Sequence, residues 1–220
     1  LARHDGYGRL PAPVTHKRLL FNSHEGFWFL LDFLDGNACH HYQLRWKMPP
    51  EANVTQVEDL FWQVEKTGRT LCMHSTAKAW TSEIQSAWFS PAYGKKVPSH
   101  CLVQQKDSNG SEIVATVFST LPACLLHLRQ LEADEIAGGT GFELLGGDKS
   151  WLLFVRDENA SMSALDWESD AKLLCVRRDS TCQPESVTAV CATRIKFRGA
   201  VLPTTTCGTN TLVWAGPNHA

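Results

Sequence analysis

Polar and apolar residues alternate along much of this sequence, and that period of two limits the folds open to it. Successive side chains of a strand point to opposite faces, so alternation predicts a strand with one buried face. A helix would scatter the same apolar residues around its surface. The clearest case ends at Pro49-Pro50 and is the run His41–Met48, with Tyr42, Leu44, Trp46 and Met48 as its apolar members.

Nine further segments rich in β-branched and aromatic residues predict additional strands. Short polar connectors separate them, and Asn109-Gly110 is a typical tight-turn pair because it tolerates positive φ. Many short strands joined in this way predict an all-β fold, an antiparallel β-sandwich. The predicted strands are Arg18–Asn22, Phe27–Phe33, Thr70–His74, Ala79–Ala87, His100–Lys106, Glu112–Ser119, Trp151–Arg156, Ala171–Arg177 and Val187–Phe197.

Two stretches predict one or two short helices within this β pattern. The segment 121–135 is rich in helix formers and contains no glycine, and helical spacing is also found in Val57, Leu60, Phe61 and Val64. At 220 residues the chain is long enough for a single β-sandwich domain over 1–220. The charged segment ahead of Gly138 suggests a sub-domain seam near 131–141.

The charges of the chain are nearly balanced, with 21 Lys and Arg against 23 Asp and Glu and a net charge of −2. Such a chain has no long-range basic field, which argues against a nucleic-acid partner and requires any anion site to be local. The longest apolar runs, such as Phe27–Leu31 and Trp151–Val155, are too short to cross a bilayer, so no membrane insertion is predicted.

The eight cysteines leave the redox compartment open. An even number fits the disulfides of an exported protein and fits eight buried thiols equally well. No C-x-x-C occurs, which argues against a thioredoxin-type motif and a zinc ribbon. The spacings resemble no small disulfide scaffold, which favours free, mostly buried thiols.

No sequence motif of a catalytic or metal site stands out. There is no G-x-S-x-G elbow, and the glycine-rich stretch 138–141 lacks the Lys-Ser/Thr of a phosphate-binding loop. Cys39, His40, His41 and Asp32 have the residue types of metal ligands. Adjacent side chains in a strand point to opposite faces, however, so His40 and His41 cannot readily share an ion. The sequence therefore predicts no catalytic residue, no metal site and no cofactor.

Several motifs make the chain resemble the heparinase II/III-like family of polysaccharide lyases. In the first 50 residues an H-D-G-Y-x-R-L turn, an H-x-R strand, a D-x-L-x-G turn and an H-x-Y strand closing on proline follow one another. An S-P-x-Y-G segment and two late strands extend the similarity along the chain. The matching residues are His4–Leu10, Val14–Arg18, Asp32–Gly36, His40–Tyr42, Trp46, Pro49-Pro50, Trp88–Gly94, Asp170–Leu173 and Gly208–Leu212.

Enzymes of that family place an α/α toroid before an antiparallel β-sandwich and cleave acidic, uronate-containing polysaccharides, glycosaminoglycans among them, by β-elimination. The resemblance implies that this chain is the sandwich, a C-terminal fragment whose partners are an acidic polysaccharide and the upstream toroid of the same parent chain. The family's catalytic Tyr and Asn or His come from the toroid, and its H-x-H-x-D and R-S-T-x-x-H-N motifs have no match here. The chain is therefore expected to be inactive alone, within a periplasmic or secreted parent lyase.

The densest polar group of the resembling region supplies the candidate substrate-binding residues. One interpretation is a rim of donors for sugar hydroxyls and carboxylates, in which arginine provides a two-pronged fork. The other is a turn and a strand held by their own hydrogen bonds. The group consists of His4, Tyr7, Arg9, His16 and Arg18.

Tryptophans are further candidates for sugar contact, since an exposed indole face is a platform for a pyranose ring. Most of the eight lie in apolar strand patterns and are predicted to be core. Trp88, beside Ser90-Pro91 and Tyr93, and Trp167, in a polar stretch, are the candidates for exposure. Two alternatives to the lyase interpretation remain, a carbohydrate-binding module without chemistry and a purely structural sandwich. A broad apolar face would favour the lyase fragment, and a short aromatic stripe would favour the binding module.

Overall fold

The computed structural model describes residues 2–23, 25–120, 126–158 and 160–204, together with the backbone of 209–212. The regular structure within these ranges consists of antiparallel β-strands, so the predicted all-β, antiparallel β-sandwich fold is confirmed. These ranges contain no helix, and therefore none of the length and apolarity that crossing a membrane requires.

The chain divides into two compact units, residues 1–123 and 124–220. Their boundary precedes the seam suggested near 131–141, a stretch that lies inside the second unit. That residues 1–220 together form a single β-sandwich domain stays a prediction.

The first unit consists of two antiparallel sheets. Its strands are β1 (Ala2–His4), β2 (Val14–Asn22), β3 (Phe27–Gly36), β4 (Cys39–Lys47), β5 (Asn53–Glu58), β6 (Phe61–Lys66), β7 (Arg69–Ser75), β8 (Thr81–Phe89), β9 (Val97–Asn109) and β10 (Glu112–Ser119). The larger sheet has the order β1-β2-β3-β10-β7-β6-β5, and the smaller sheet has the order β4-β9-β8.

The alternation seen in the sequence determines which side of β4 faces the core of this unit. Tyr42 and Leu44 are buried, whereas the polar residues between and beside them are exposed. The buried side chains pack against residues of the larger sheet, namely Val14, Leu34 and Val114, and against Ala77 and Trp80. A second apolar cluster lies further along the same sheets and contains Met48, Ala52, Trp62, Val64, Met73 and Leu102.

The second unit also consists of two antiparallel sheets. Its strands are β11 (Leu126–Gln130), β12 (Ile136–Ala137), β13 (Gly139–Gly146), β14 (Lys149–Arg156), β15 (Met162–Ala164), β16 (Trp167–Ser169), β17 (Leu173–Arg178), β18 (Pro184–Val190), β19 (Ile195–Phe197), β20 (Ala200–Leu202) and β21 (Thr209–Leu212). One sheet has the order β11-β13-β14-β17-β18-β21, and the other has the order β12-β15-β16-β19-β20.

Apolar side chains from both of these sheets form one core in the second unit. Trp167 stacks on Phe197, with ring centroids 4.6 Å apart. The predicted strand over Val187–Phe197 is in fact two strands, because the chain turns at Cys191, where φ is 55°. The core residues include Leu152, Phe154, Met162, Leu174, Val176, Val187 and Ile195.

One predicted helix is wrong, the one inferred from the spacing of Val57, Leu60, Phe61 and Val64. These residues belong to the hairpin of β5 and β6, whose register shifts between Gln56 and Glu58. Leu60 occupies the turn with a φ of 60°. The bulge and the turn interrupt the period of two, and this is why the apolar spacing resembles that of a helix.

The helix predicted over 121–135 is also wrong wherever the structure describes this segment. Leu126–Gln130 forms β11, which pairs with β13. A turn follows, in which the Glu135 N–H donates to the Glu132 carbonyl at 3.0 Å. Residues 121–125 lie outside the described residues. Helix propensity is a weak preference that pairing into a sheet overrides here.

The described cysteines are free thiols, as the spacings favoured, but only half of them are buried. Cys72, Cys101 and Cys175 are buried, whereas Cys39, Cys182 and Cys191 are exposed. Cys124 and Cys207 lie outside the described residues.

Candidate functional site

A cavity of about 470 Å³ opens at one edge of the first unit. It lies between the β2–β3 region of the larger sheet and β4, which is the edge strand of the smaller sheet. The turn that follows β1 contributes its remaining wall. The lining residues are Tyr7, Leu10, Val14, His16, Arg18, Leu34, His40, His41, Tyr42, Gln43, Leu44 and Arg45.

A buried carboxylate organises the basic side of this cavity. Asp32 is fully buried, and Arg18 stands directly opposite it in the β2–β3 register. Arg18 donates from Nε to Oδ1 at 2.7 Å and from Nη2 to Oδ2 at 2.9 Å. His16 lies two residues before Arg18, on the same face of β2, and its Nε2 lies 2.6 Å from Oδ1 of Asp32. Asp32 therefore holds both basic side chains in fixed positions.

An indole ring completes the support of Arg18. The guanidinium carbon lies 5.4 Å from the ring centroid of Trp46, within range of a cation–π contact. Trp46 is held in turn by its Nε1, which donates to Oε1 of the fully buried Gln104 at 3.1 Å. The Arg18 side chain is still 38% exposed, and Asp32 uses only part of its N–H donors. The pairing with Asp32 therefore leaves other N–H donors of the guanidinium for a further acceptor.

A polar wall of β4 borders the cavity, and its side chains lie on the solvent face of that strand, away from the larger sheet. His41 Nδ1 lies 2.7 Å from Oδ1 of Asp107, and Gln43 Nε2 lies 3.1 Å from His41 Nε2 and 2.8 Å from Oε1 of Gln105. Arg45 Nη1 approaches Oε1 of Gln43 at 3.4 Å. These residues are exposed, so the wall presents amide, imidazole and guanidinium groups to solvent, a set that suits sugar hydroxyls and carboxylates.

Tyr42 lines the same cavity but is not a candidate base. Burial raises the pKa of Tyr42, and the nearby carboxylates of Glu112 and Asp35 raise this pKa further. Its hydroxyl donates to the Gly110 carbonyl at 3.0 Å. A phenol in this setting keeps its proton and helps to fix the connection between β9 and β10.

The cavity brings together three of the five predicted substrate-binding residues, Tyr7, His16 and Arg18. His4 and Arg9 are exposed and are not among the lining residues. His4 instead accepts from the Gly6 N–H at 3.3 Å and contacts Tyr7 edge to face at 5.4 Å. For His4, the structure therefore shows a turn held by its own contacts. That these five residues bind substrate stays a prediction.

Sequence reasoning missed the polar wall of β4 and the role of Asp32. The signal for the wall was available, because alternation along His41–Met48 places His41, Gln43 and Arg45 on one polar face. Asp32 was considered as a metal ligand, but its carboxylate is occupied by Arg18 and His16. Among the described residues, no three His, Cys, Asp or Glu side chains come together as a metal-binding group.

Of the two tryptophans proposed for exposure, only one is exposed. Trp88 is 62% exposed at the end of β8, whereas Trp167 is buried within the second unit. The polar neighbours of Trp167 in the sequence alternate with it along β16 and point the other way, so polar surroundings in the sequence do not imply exposure.

Comparisons with known proteins agree with the family resemblance found in the sequence of the first unit. Residues 1–117 match the family described as heparinase II/III-like, C-terminal. A solved structure of a heparinase III with methylated lysines has a TM-score of 0.55 and 14% sequence identity, over 66% of this chain and 24% of that one. The chain thus spans about a quarter of the length of that structure. No curated protein matches. At this identity, the likeness to the solved structure shows the fold alone.

Proposed function

Through residues 1–117 the chain belongs to the family described as heparinase II/III-like, C-terminal, and from this we propose that it is the β-sandwich part of a polysaccharide lyase. The parent enzyme cleaves a uronate-containing polysaccharide by β-elimination. The residues around the cavity beside β4 form one wall of the cleft that holds the polysaccharide.

The supporting observation is the fixed guanidinium of Arg18 at the mouth of a polar cavity. β-Elimination removes the proton on C5 of a uronic acid, and that proton is acidic enough only when the adjacent carboxylate is neutralised. Arginine binds a carboxylate through paired N–H donors, and a guanidinium already held by Asp32 and Trp46 loses little freedom when it does so. Arg45 on the polar wall of β4 provides a second positive charge at the border of the cavity.

The same geometry supports a binding role without independent chemistry. Tyr42 retains its proton and its hydroxyl donates to the Gly110 carbonyl, so it is not placed as a base. A base for C5 and an acid for the departing O4 would come from the toroid of the parent chain. Because an acidic polysaccharide is too large to enter a cell intact, we propose that the parent protein is periplasmic or secreted.

A carbohydrate-binding module without chemistry is the second candidate. It is favoured by the exposed Trp88 and by Tyr93, which is fully exposed on the same hairpin. The lyase and the binding module differ in the activity expected of a longer chain. The lyase produces an unsaturated uronate, and the binding module does not.

The proposed wall is tested by kinetics on a longer chain that includes the sequence upstream of Leu1. Arg18→Lys keeps the positive charge but removes the paired N–H donors of the guanidinium. Arg45→Ala removes the positive charge of the polar wall of β4, at an exposed position where loss of folding is not expected. We expect both variants to raise KM for a uronate polysaccharide. Arg69→Ala, at an exposed arginine of β7, is the matched control and should change nothing. Unaltered KM in both cavity variants would contradict the proposed wall.

A further inference from the structure

The hairpin of β8 and β9 presents aromatic side chains to solvent at its far end. Trp88 is 62% exposed, Phe89 is 42% exposed and Tyr93 is fully exposed. Large aromatic residues are normally among the more buried side chains of a domain, so three of them at one hairpin end indicate a contact surface.

The hairpin end is held in a defined conformation. Trp88 pairs with Pro98 and Phe89 pairs with Val97, so the connecting loop is Ser90–Lys96. Within this loop the hydroxyl of Ser90 lies 2.9 Å from the Lys95 carbonyl and 3.0 Å from the Ala92 carbonyl, and the Lys95 N–H donates to Ala92 at 3.0 Å. A platform that is already ordered loses little conformational entropy on binding.

Trp88 also forms one wall of a depression of about 730 Å³. Its floor is fixed where β9 meets the turn after β4. Ser99 Oγ donates to the Met48 carbonyl at 2.6 Å, and the Met48 N–H donates to the His100 carbonyl at 2.9 Å. The lining residues are Pro50, Glu51, Ser86, Ala87, Trp88, Val97, Pro98, Ser99 and His100, none of which lines the cavity beside β4.

The loop at the end of this hairpin is positively charged. The segment 84–106 contains no Asp or Glu, and its loop carries the exposed Lys95 and Lys96. His100 is exposed beside Trp88, and Glu51 is the single acidic residue of the lining. An anionic ligand is therefore favoured over a cationic one.

We propose that this surface, defined by Trp88, Tyr93, Lys95, Lys96 and His100, is a second binding site for an acidic polysaccharide. The indole of Trp88 stacks on the apolar face of a pyranose ring, and the two lysines pair with carboxylate or sulfate groups of the same chain. Polar Ser86 and His100 border the indole and can reach sugar hydroxyls. A protein interface of stable size would need about 800 Å² on each partner with an apolar centre, whereas this patch is narrow and edged by charge.

This site binds a glycan without reacting with it, and it shares no lining residue with the cavity beside β4. The two proposals can therefore fail separately. Binding is measured by calorimetry on the 220-residue chain with three hexasaccharides: one from heparan sulfate, one from alginate, and neutral cellohexaose. The indole N–H signals in NMR, with that of Trp88 identified by Trp88→Phe, report which tryptophan is contacted.

We expect Trp88→Ala to weaken binding of the acidic hexasaccharides by roughly fivefold to tenfold. The double variant Lys95→Ala/Lys96→Ala should weaken the same binding and reduce its dependence on salt, without affecting cellohexaose. Trp28→Ala, at a tryptophan that is 46% exposed on β3, is the matched control and should bind normally.

Three results would overturn the proposal. One is unchanged affinity in both hairpin variants. Another is loss of binding in Arg45→Ala alone, which would assign the glycan contact to the cavity beside β4. The third is concentration-dependent association of the chain that Trp88→Ala abolishes while glycan affinity is unchanged, which would identify a protein contact. All of the altered residues lie at exposed positions, Trp28 on β3 and the others on the hairpin or on β4, so loss of folding is not expected.

Discussion

Arg18 and Asp32 stand opposite each other in the β2–β3 register, and the guanidinium meets both carboxylate oxygens at 2.7 and 2.9 Å. The carboxylate has no exposed surface, whereas the guanidinium reaches solvent at the cavity. A buried charge is costly unless it is paired and hydrogen-bonded, so Arg18 and His16 offset the cost of burying the Asp32 side chain. The same pairing leaves the outer part of the guanidinium in a fixed position for a ligand.

The first prediction concerns this pair. Asp32→Asn keeps the size of the side chain but leaves Arg18 without its counter-charge and His16 without an anionic acceptor. We expect the free energy of unfolding to fall by about 2–3 kcal/mol in urea denaturation.

Asp107→Asn is the matched control, because Asp107 also pairs with a histidine but is 77% exposed. A surface pair contributes less than about 1 kcal/mol, so this variant should be close to the unmodified protein. Equal losses in the two variants would contradict the special role of the buried carboxylate.

The second prediction concerns the β6–β7 hairpin. Its two-residue turn, Thr67-Gly68, has φ values of 49° and 71°, and positive φ is a strained conformation for a β-branched residue. Asn tolerates this conformation better, so Thr67→Asn should raise the free energy of unfolding by about 0.5–1 kcal/mol. The comparison variant Gly68→Ala should lower it, although no atom lies within 4 Å of the added methyl group. A less stable Thr67→Asn would contradict the prediction.

The third prediction concerns acid stability of the second unit. Burial by itself would raise the pKa of Glu143, but hydrogen bonds from Arg129 and Arg178, together with their charges, lower the pKa of this carboxyl below its ordinary value. A lowered pKa in the folded state stabilises the protein above the ordinary glutamate value of about 4.3, and this contribution is lost as the pH falls through the lowered pKa. Glu143→Gln should therefore be less stable near neutral pH and show a weaker loss on acidification.

Denaturation followed by NMR signals of β13 and β14 tests this at neutral and acidic pH. Glu58→Gln, at an exposed position of the first unit, is the control and should leave those signals unchanged. An acid profile of Glu143→Gln that matches the unmodified protein would count against the prediction.

The fourth prediction is that Tyr42 has a structural role only. Tyr42→Phe removes the hydrogen bond to the Gly110 carbonyl, which should lower the free energy of unfolding by about 1 kcal/mol. In the longer chain, the pH profile of kcat should keep its shape, because a phenol with a raised pKa is not the base. A lost or shifted alkaline limb in Tyr42→Phe would show that the hydroxyl takes part in the chemistry.

The sequence predicted the fold class well because a period of two is a local signal, and β4 shows it most clearly. Prediction failed where irregular backbone disturbed that period, as at the bulge before Glu58 and the turn at Leu60. His16, Arg18 and Asp32 all belong to the family pattern, but only His16 and Arg18 were singled out as candidate binding residues. The third, Asp32, lies 14 residues from Arg18, and its role depends on sheet register, which no local pattern specifies.

Exposure of aromatic residues was equally hard to predict. Trp88 and Trp167 were both candidates for exposure, yet one lies at the end of a hairpin and the other in the core of the second unit. Burial depends on which strands pair, and this long-range information is missing from a short window of sequence.

The most direct measurement is the appearance of unsaturated uronate, followed by ultraviolet absorbance, with heparan sulfate and alginate as substrates. The 220-residue chain is compared with a longer chain that carries the proposed toroid. We predict product from the longer chain only, at a rate that Arg18→Lys reduces and Arg69→Ala does not. Product from the 220-residue chain alone would contradict this, since it would place a complete catalytic site within the β-sandwich.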